Sequence, residues 1–257
     1  MTSIRTRSFC KLNKLALGVA ASLALMGTAP AMAGVVNFET VPLDYYLDGQ
    51  VLNEDGYALQ VIDTHEGGGG LAGTLINGQD STTCWLGGCP TDNGSRFYAG
   101  IADGALQITR SWTGGGFSLT GLDYAFIAPT GGQANYAYGQ LVFSGVTRDN
   151  GTTINYAIDF RGTDSAGNPL FDSAVLSPTF ASTVLSSLTI RACLFDGNGG
   201  CTFPHTIDDA NLNQAQFALD NITLAEVPEP GSLALLGLGL GALTLRRRNS
   251  RNNATNA

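Results

Sequence analysis

The residues of this 257-residue chain whose types and spacing could do chemistry are four of its five cysteines, Cys10 near the N-terminus being set apart, two histidines and a few placed acids. Cys84 and Cys89 form a C-x4-C pair, and Cys193 and Cys201 a C-x7-C pair. Four cysteines allow three pairings, and close spacing favours Cys84–Cys89 and Cys193–Cys201. Closing such short loops is worth roughly 2–2.5 kcal/mol each by chain entropy. The sharper alternative is a four-cysteine zinc site, but neither spacing is that of a zinc knuckle. His65 and His205 are the only histidines. No G-x-S-x-G elbow and no H-E-x-x-H helix accompanies them, so both read as surface histidines. His65-Glu66 precedes Gly67–Gly70, a glycine run that lacks the Lys-Ser/Thr ending of a phosphate cradle and reads as a loop.

The acids offer two further chemistries. Glu39 follows the first strand and Asp220 lies in the last, and sandwich domains bring those strands together. The pair is therefore a candidate calcium site, with solvated acids at strand ends as the alternative, and no EF-hand loop is present. Paired carboxylates could also cleave glycosides, but among 21 acids the sequence singles out no pair. Aromatic rings can stack on sugar faces. Trp85, in a cysteine loop, is the better candidate; Trp112 lies on an expected strand and reads as core, and Tyr136–Tyr138 is a third possibility. Asn93-Gly-Ser and Asn150-Gly-Thr match glycosylation acceptors, a pattern short enough to arise by chance.

The elements that must position these residues read as strands. Between Gly34 and Glu226, short alternating or β-branched runs are separated by Gly, Asn and Asp clusters, with no sustained helical period. Expected strands are 35–38, 57–62, 105–112, 117–119, 122–127, 140–148, 152–160, 170–176, 184–194 and 217–224. The clearest unit is the hairpin around Asn150-Gly151, a pair suited to a turn with positive φ. Asp80–Gly94 and Asp196–Asn213 read as long loops, each holding one cysteine pair. The fold class expected is all-β, a single jelly-roll-like β-sandwich over residues 34–226.

Charge is sharply partitioned. Residues 34–230 hold five arginines, no lysine and all 21 acids, a formal charge of −16. Such a field repels phosphate, so nucleic acid is excluded as a partner. The first 33 residues have the form of a secretory signal peptide: basic Arg5, Arg7, Lys11 and Lys14, an apolar run from Leu15 to Met26, and Ala31-Met32-Ala33 as the cleavage site before Gly34. Export agrees with an even cysteine count in the remaining chain.

The C-terminus is the most specific stretch. Val227, Pro228, Glu229, Pro230 and Gly231 lead into an apolar run that ends at Leu245, followed by Arg246, Arg247 and Arg248 and a polar tail, 249–257. Counted from Gly231 to Leu245, the run of 15 residues would span about 22 Å as a helix against a hydrocarbon core of about 30 Å. That length suits a temporary anchor better than a permanent one, and the arginines would stay cytoplasmic. An ordinary unprocessed anchor is the alternative.

Residues 227–248 resemble the PEP-CTERM sorting signal of exported bacterial proteins. Gln216–Ile222, with Gly116–Tyr124, looks like the QFxxD-type group of such proteins. The resemblance implies export by the general secretory route and signal peptidase, transient residence in the inner membrane, and processing by an exosortase near Pro-Glu-Pro. It also implies delivery to the cell surface of a bacterium that makes exopolysaccharide. It supplies no catalytic residues. The expectation is a non-enzymatic surface or matrix protein with a structural or adhesive role and no cofactor beyond a possible calcium ion. A polysaccharide-acting hydrolase or lyase and a calcium-stabilised carbohydrate-binding module are the alternatives.

Overall fold

Tight turns and alternating side chains cut the chain into fourteen strands among the described residues. The structure is a computed structural model and describes residues 33–65, 67–84, 88–112, 115–127, 139–203 and 215–227, with Gly237. Ala31, Glu66, Trp85, Tyr136–Tyr138, His205 and the sorting-signal residues Pro228, Glu229, Pro230, Gly231, Arg246, Arg247 and Arg248 lie outside them. Residues 32–227 make one compact unit. Among the described residues no helix is long and apolar enough to cross a membrane.

In chain order the strands are β1 (Ala33–Val36), β2 (Tyr45–Leu47), β3 (Val51–Glu54), β4 (Tyr57–Ile62), β5 (Leu71–Asn77), β6 (Arg96–Gly100) and β7 (Ala105–Arg110). They continue with β8 (Gly116–Ile127), β9 (Gly139–Thr147), β10 (Thr153–Asp159), β11 (Asp172–Ser173), β12 (Leu185–Phe195), β13 (Cys201–Thr202) and β14 (Gln216–Val227). All pairings between them are antiparallel. One run is β2-β5-β6-β14-β8, with β11 on β8 and β1 beside the second half of β14. The other is β3-β4-β7-β12-β9-β10. The two runs meet at a single rung, Phe117–Leu185, and the sheet curls there.

The curl encloses one apolar core. Leu59, Leu106, Phe143 and Ile190 from the second run share a cluster with Tyr98, Leu119, Phe217 and Leu224 from the first. Tyr57 meets Phe117 edge to face at 5.6 Å, and Tyr98 lies between Phe38 and Phe217. Each such fully buried ring contributes about 2–3 kcal/mol by removal from water. Gly100 makes room for this packing, since a Cβ there would meet the Phe217 ring at 2.3 Å. The α-helical turn Pro178–Ala181 is capped by Ser177 and buries Phe180 against Phe143 and Tyr156.

The outer face of the first run is not bare. Ile76, Phe97, Ala99, Ile101, Ala125, Ile127, Phe171 and Ala218 form a second cluster, and Cys84 and Cys89 pack against it. The long loop expected at 80–94 therefore serves as a cover for the sheet. Two expected strands merge into the 12-residue β8. The strand expected over 170–176 shrinks to Asp172–Ser173, because Phe171 turns into the second cluster. β2, β3, β5 and β6 are not among the expected strands, nor is the short β13, which lies in the expected loop Asp196–Asn213.

Candidate functional site

The site is built on a bulge in the last strand. Register between β14 and β8 shifts after the Asp220–Asp123 rung, and Asn221 takes φ +48°. Phe217 and Leu219 enter the main core, whereas Ala218 belongs to the outer cluster. Alternation along the strand sends Asp220 to that same outer side, fully buried beneath the covering loop. Its Oδ2 accepts hydrogen bonds from Asn93 Nδ2 at 2.8 Å and from the Ser95 hydroxyl, and its Oδ1 accepts from the Asn221 amide at 2.7 Å. Burial raises the Asp220 pKa above the ordinary aspartate value, although the Ser95 and Asn93 bonds oppose the shift.

Beside this anchor opens a polar cleft of about 390 Å³, lined by Asp92, Asn93, Asp123, Arg161, Asp172 and Asn221 among others. Asp123 accepts hydrogen bonds from Ser173 Oγ at 2.6 Å and Asn221 Nδ2 at 2.8 Å. Asp92 accepts from the Phe171 amide at 2.9 Å. Three carboxylates thus line one concave surface, and each already receives a donor, Asp172 from the Ser173 amide at 2.9 Å. A second concavity of about 360 Å³ lies against the Cys84–Cys89 loop.

Glu39 is brought to the same end of β6 as Asp220. Its Oε1 accepts from the Arg96 amide at 2.8 Å, and Arg96 Nη1 donates to its carbonyl at 3.1 Å. First and last strands do pair, β1 with β14. Calcium requires six to eight oxygen lone pairs aimed at one point. Here Glu39 Oε1 and both Asp220 oxygens instead face N–H and O–H donors, an arrangement of poor fit to a cation. Among the described residues no group of three or more His, Cys, Asp or Glu side chains could hold a metal ion.

Trp112 corrects the expectation of a core residue. β7 ends at Arg110, and the Trp112 side chain emerges 49% exposed. The Arg110 guanidinium sits 3.6 Å from the centre of the indole ring and 5.4 Å from that of Tyr57. Arg110 is in turn paired to Glu226 Oε1 at 2.9 Å, with side-chain exposures of 5% and 30%. Gly56, at φ +80°, lies so close to the indole that a Cβ would meet it at 2.8 Å. The result is a flat aromatic surface held in place from beneath by a cation.

His65 also departs from its expected surface setting. Its side chain is only 10% exposed, with Nδ1 2.8 Å from Asp63 Oδ1 and Nε2 3.9 Å from Asp103 Oδ2. Burial works to raise the Asp63 pKa, but the His65 amide and ring and the Gly70 amide outweigh it, and the carboxyl lies below its usual value. No local pattern around His65 announces the Asp103 partner, which comes from the β6–β7 turn. Both disulfides pair as the short spacings favour, Cys84–Cys89 and Cys193–Cys201.

The C-terminal strand leads directly into the segment that identifies the chain's destination. Glu226 and Val227 are still paired, to Phe117 and Gly116. Residues 226–248 match the PEP-CTERM protein-sorting motif. A PEP-CTERM segment implies an exported, membrane-transiting protein that is processed by an exosortase and sorted to the surface. Ala33 and Gly34, at the expected signal-peptide junction, open β1. No curated relative matches the sequence. Among solved structures, the chain is similar to a mutant of the family 29 carbohydrate-binding module CBM29-2, with 12% identity, TM-score 0.32, and coverage of 80% of this chain and 96% of that one. It is also similar to the CBM22-1–GH10 modules of Clostridium thermocellum xylanase 10B in complex with xylohexaose, with 14% identity, TM-score 0.34, and coverage of 78% and 29%. A third likeness is to the Stig cyclase Fisc from Fischerella sp. TAU, with 12% identity, TM-score 0.33, and coverage of 77% and 99%. Likenesses at these scores carry no conclusion about ligand or activity.

Proposed function

We propose that this PEP-CTERM-sorted protein is a non-enzymatic component of an extracellular polysaccharide matrix, of the QFxxD-type group, with a structural or adhesive role. The observation that carries the reading is the Trp112 surface: an indole about half exposed, stacked on an Arg110 that Glu226 and Tyr57 hold in place. Sugar rings present C–H faces that pack on aromatic planes, and a ring fixed beforehand loses little freedom on binding. The Asp of the QFxxD-like stretch, Asp220, supports the grouping through a structural task, pinning the covering loop.

The test is retention of the full-length protein, in mild non-ionic detergent, on exopolysaccharide purified from its own host. Retention should fall several-fold in Trp112→Ala. Equal retention of the two proteins defeats the reading. A hydrolytic role is favoured only by Asp92, Asp123 and Asp172 lining one cleft. Release of new reducing ends from the same polysaccharide, lost in Asp123→Asn, would put that role in place of the first.

A further inference from the structure

The two concavities on the outer face lie on opposite sides of one pinned segment. Pro90 and Thr91 line the concavity against the Cys84–Cys89 loop, here the first subsite, and Asp92, Asn93 and Gly94 line the cleft beside Asp220, here the second. Their floors also touch: Phe97, in the first, meets Phe171, in the second, edge to face at 5.3 Å. Each volume, about 360 and about 390 Å³, falls within the range of roughly 300–1,000 Å³ usual for small-ligand sites. We infer that the pair forms a groove of two adjoining subsites for an uncharged, hydroxyl-rich glycan chain, separate from Trp112. The inference rests on the reading that the domain contacts polysaccharide.

The chemistry of the lining selects hydroxyls. In the first subsite an apolar floor of Ile76 and Phe97 is ringed by Asn77, Gln79, Asp80, Thr91 and Asn168. In the second, the carboxylates of Asp92, Asp123 and Asp172 stand with the amides of Asn93 and Asn221 and the guanidinium of Arg161. Sugar hydroxyls donate and accept at once, and mixed carboxylate, carboxamide and guanidinium groups answer both roles. An apolar floor with a few placed polar groups is the usual make-up of a small-molecule site.

Charge narrows the class further. With three carboxylates against one guanidinium in the second subsite, and −16 over residues 34–230, a polyanionic glycan such as a uronate polymer is repelled. A polycation would be drawn to the whole surface rather than to the groove, and that attraction would fade with salt.

The walls are fixed before any ligand arrives. Asp220 holds Asn93 and Ser95 from below. Asp92 holds the Phe171 amide, and Asp164 accepts from the amides of Ala166 and Asn168 and from Asn168 Nδ2. The Cys84–Cys89 bond ties the far wall. Little ordering is left to lose on binding.

Gly94 supplies a clean way to close the second subsite. Gly94 lines this cleft and a Cβ there meets nothing within 4 Å, so a larger side chain can be placed at its wall without displacing the neighbours. The experiment is affinity electrophoresis of the full-length protein in non-ionic detergent through gels of xylan, galactomannan and mixed-linkage β-glucan. Pectate and chitosan gels provide the charged arms. Retardation is expected in at least one neutral gel, insensitive to salt, about tenfold weaker in Gly94→Leu and several-fold weaker in Gln79→Ala. No retardation in any neutral gel overturns the groove, as does retardation undiminished in both variants. Retardation by chitosan alone, abolished by salt, overturns it in favour of surface charge. Loss in Trp112→Ala with both groove variants intact sinks the groove and leaves the Trp112 reading standing. Loss in the groove variants with Trp112→Ala unaffected does the reverse.

Discussion

The carboxylate of Asp220, in the last strand, accepts a hydrogen bond from the side chain of Asn93, 127 residues earlier, at 2.8 Å. This contact fastens the loop that covers the outer face of the sheet to the strand beneath it. Much of the candidate surface depends on it, because the same loop segment borders both concavities.

Asp220→Ala should therefore cost about 3 kcal/mol or more in chemical denaturation, since Asn93, Ser95 and the Asn221 amide would lose a common acceptor. Amide exchange should rise first at residues 91–95. A loss under about 1 kcal/mol with unchanged exchange would show that water replaces the carboxylate without penalty.

The same acid has a pH signature. Burial raises its folded pKa above the unfolded value, so ionisation opposes folding. Its contribution is fully present below the ordinary aspartate pKa and declines as pH rises through the raised folded value. The stability of the wild type minus that of Asp220→Asn should therefore fall as pH rises through that window. A difference that is flat, or that grows with pH, contradicts the assignment. Asp63, whose folded pKa is lowered, should act in the opposite sense, with its contribution lost as pH falls.

Replacing Arg110 with Leu removes the cation beneath the indole and leaves Glu226 without its ion-pair partner. A cation–π contact of this kind is worth about 1 kcal/mol, so glycan affinity at Trp112 should drop about fivefold. In a Trp85→Phe background the remaining tryptophan emission should lose anisotropy. Unaltered anisotropy would mean that Gly56 and the backbone suffice to hold the ring.

Removing the Cys84–Cys89 bond by paired Cys→Ser changes should cost about 2 kcal/mol from the short closed loop, plus the packing of both sulfurs on the outer cluster. Melting under reducing and oxidising conditions, in a background with Cys193 and Cys201 both changed to Ser so that only this bond responds, measures the first part directly. A melting point indifferent to reductant would show that packing alone holds the loop.

Millimolar calcium should leave the melting temperature unchanged, because the Glu39 and Asp220 oxygens with described partners face N–H and O–H donors. A rise that disappears in Asp220→Asn would restore the expected cation site.

Local order is legible in the sequence where one residue type decides it. The Asn150-Gly151 turn sets the β9–β10 register, with Thr153 opposite Val146, and Gly151 takes the expected positive φ. β4 also appears with its expected bounds, since Tyr57–Ile62 alternates without interruption. Reading stops where long-range partners decide. Thr120-Gly121 looks like a break between strands, yet the opposing β14 absorbs it as a bulge. Trp112 continues the alternation of β7, but a salt-bridged arginine holds it at the surface. His65 looks exposed beside its glycines until Asp103 arrives from another turn. Asp220 stands out only as an acid in a strand, and nothing nearby in sequence announces Asn93 or Ser95. The cleft is illegible for the same reason: its walls come from separate stretches that meet only once the sheet has curled.

No spacer separates β14 from the sorting segment, and Val227 is still bonded to β8 when the Pro-Glu-Pro sequence begins. β14 also lies inside the sheet, flanked by β8 on one side and by β6 and β1 on the other. A pull on the C-terminal end would run along this strand, and its cross-strand bonds would share the load in shear instead of opening one by one. Tension on the tail is thus met by a strand that is paired on both sides over residues 217–219 and 223–225.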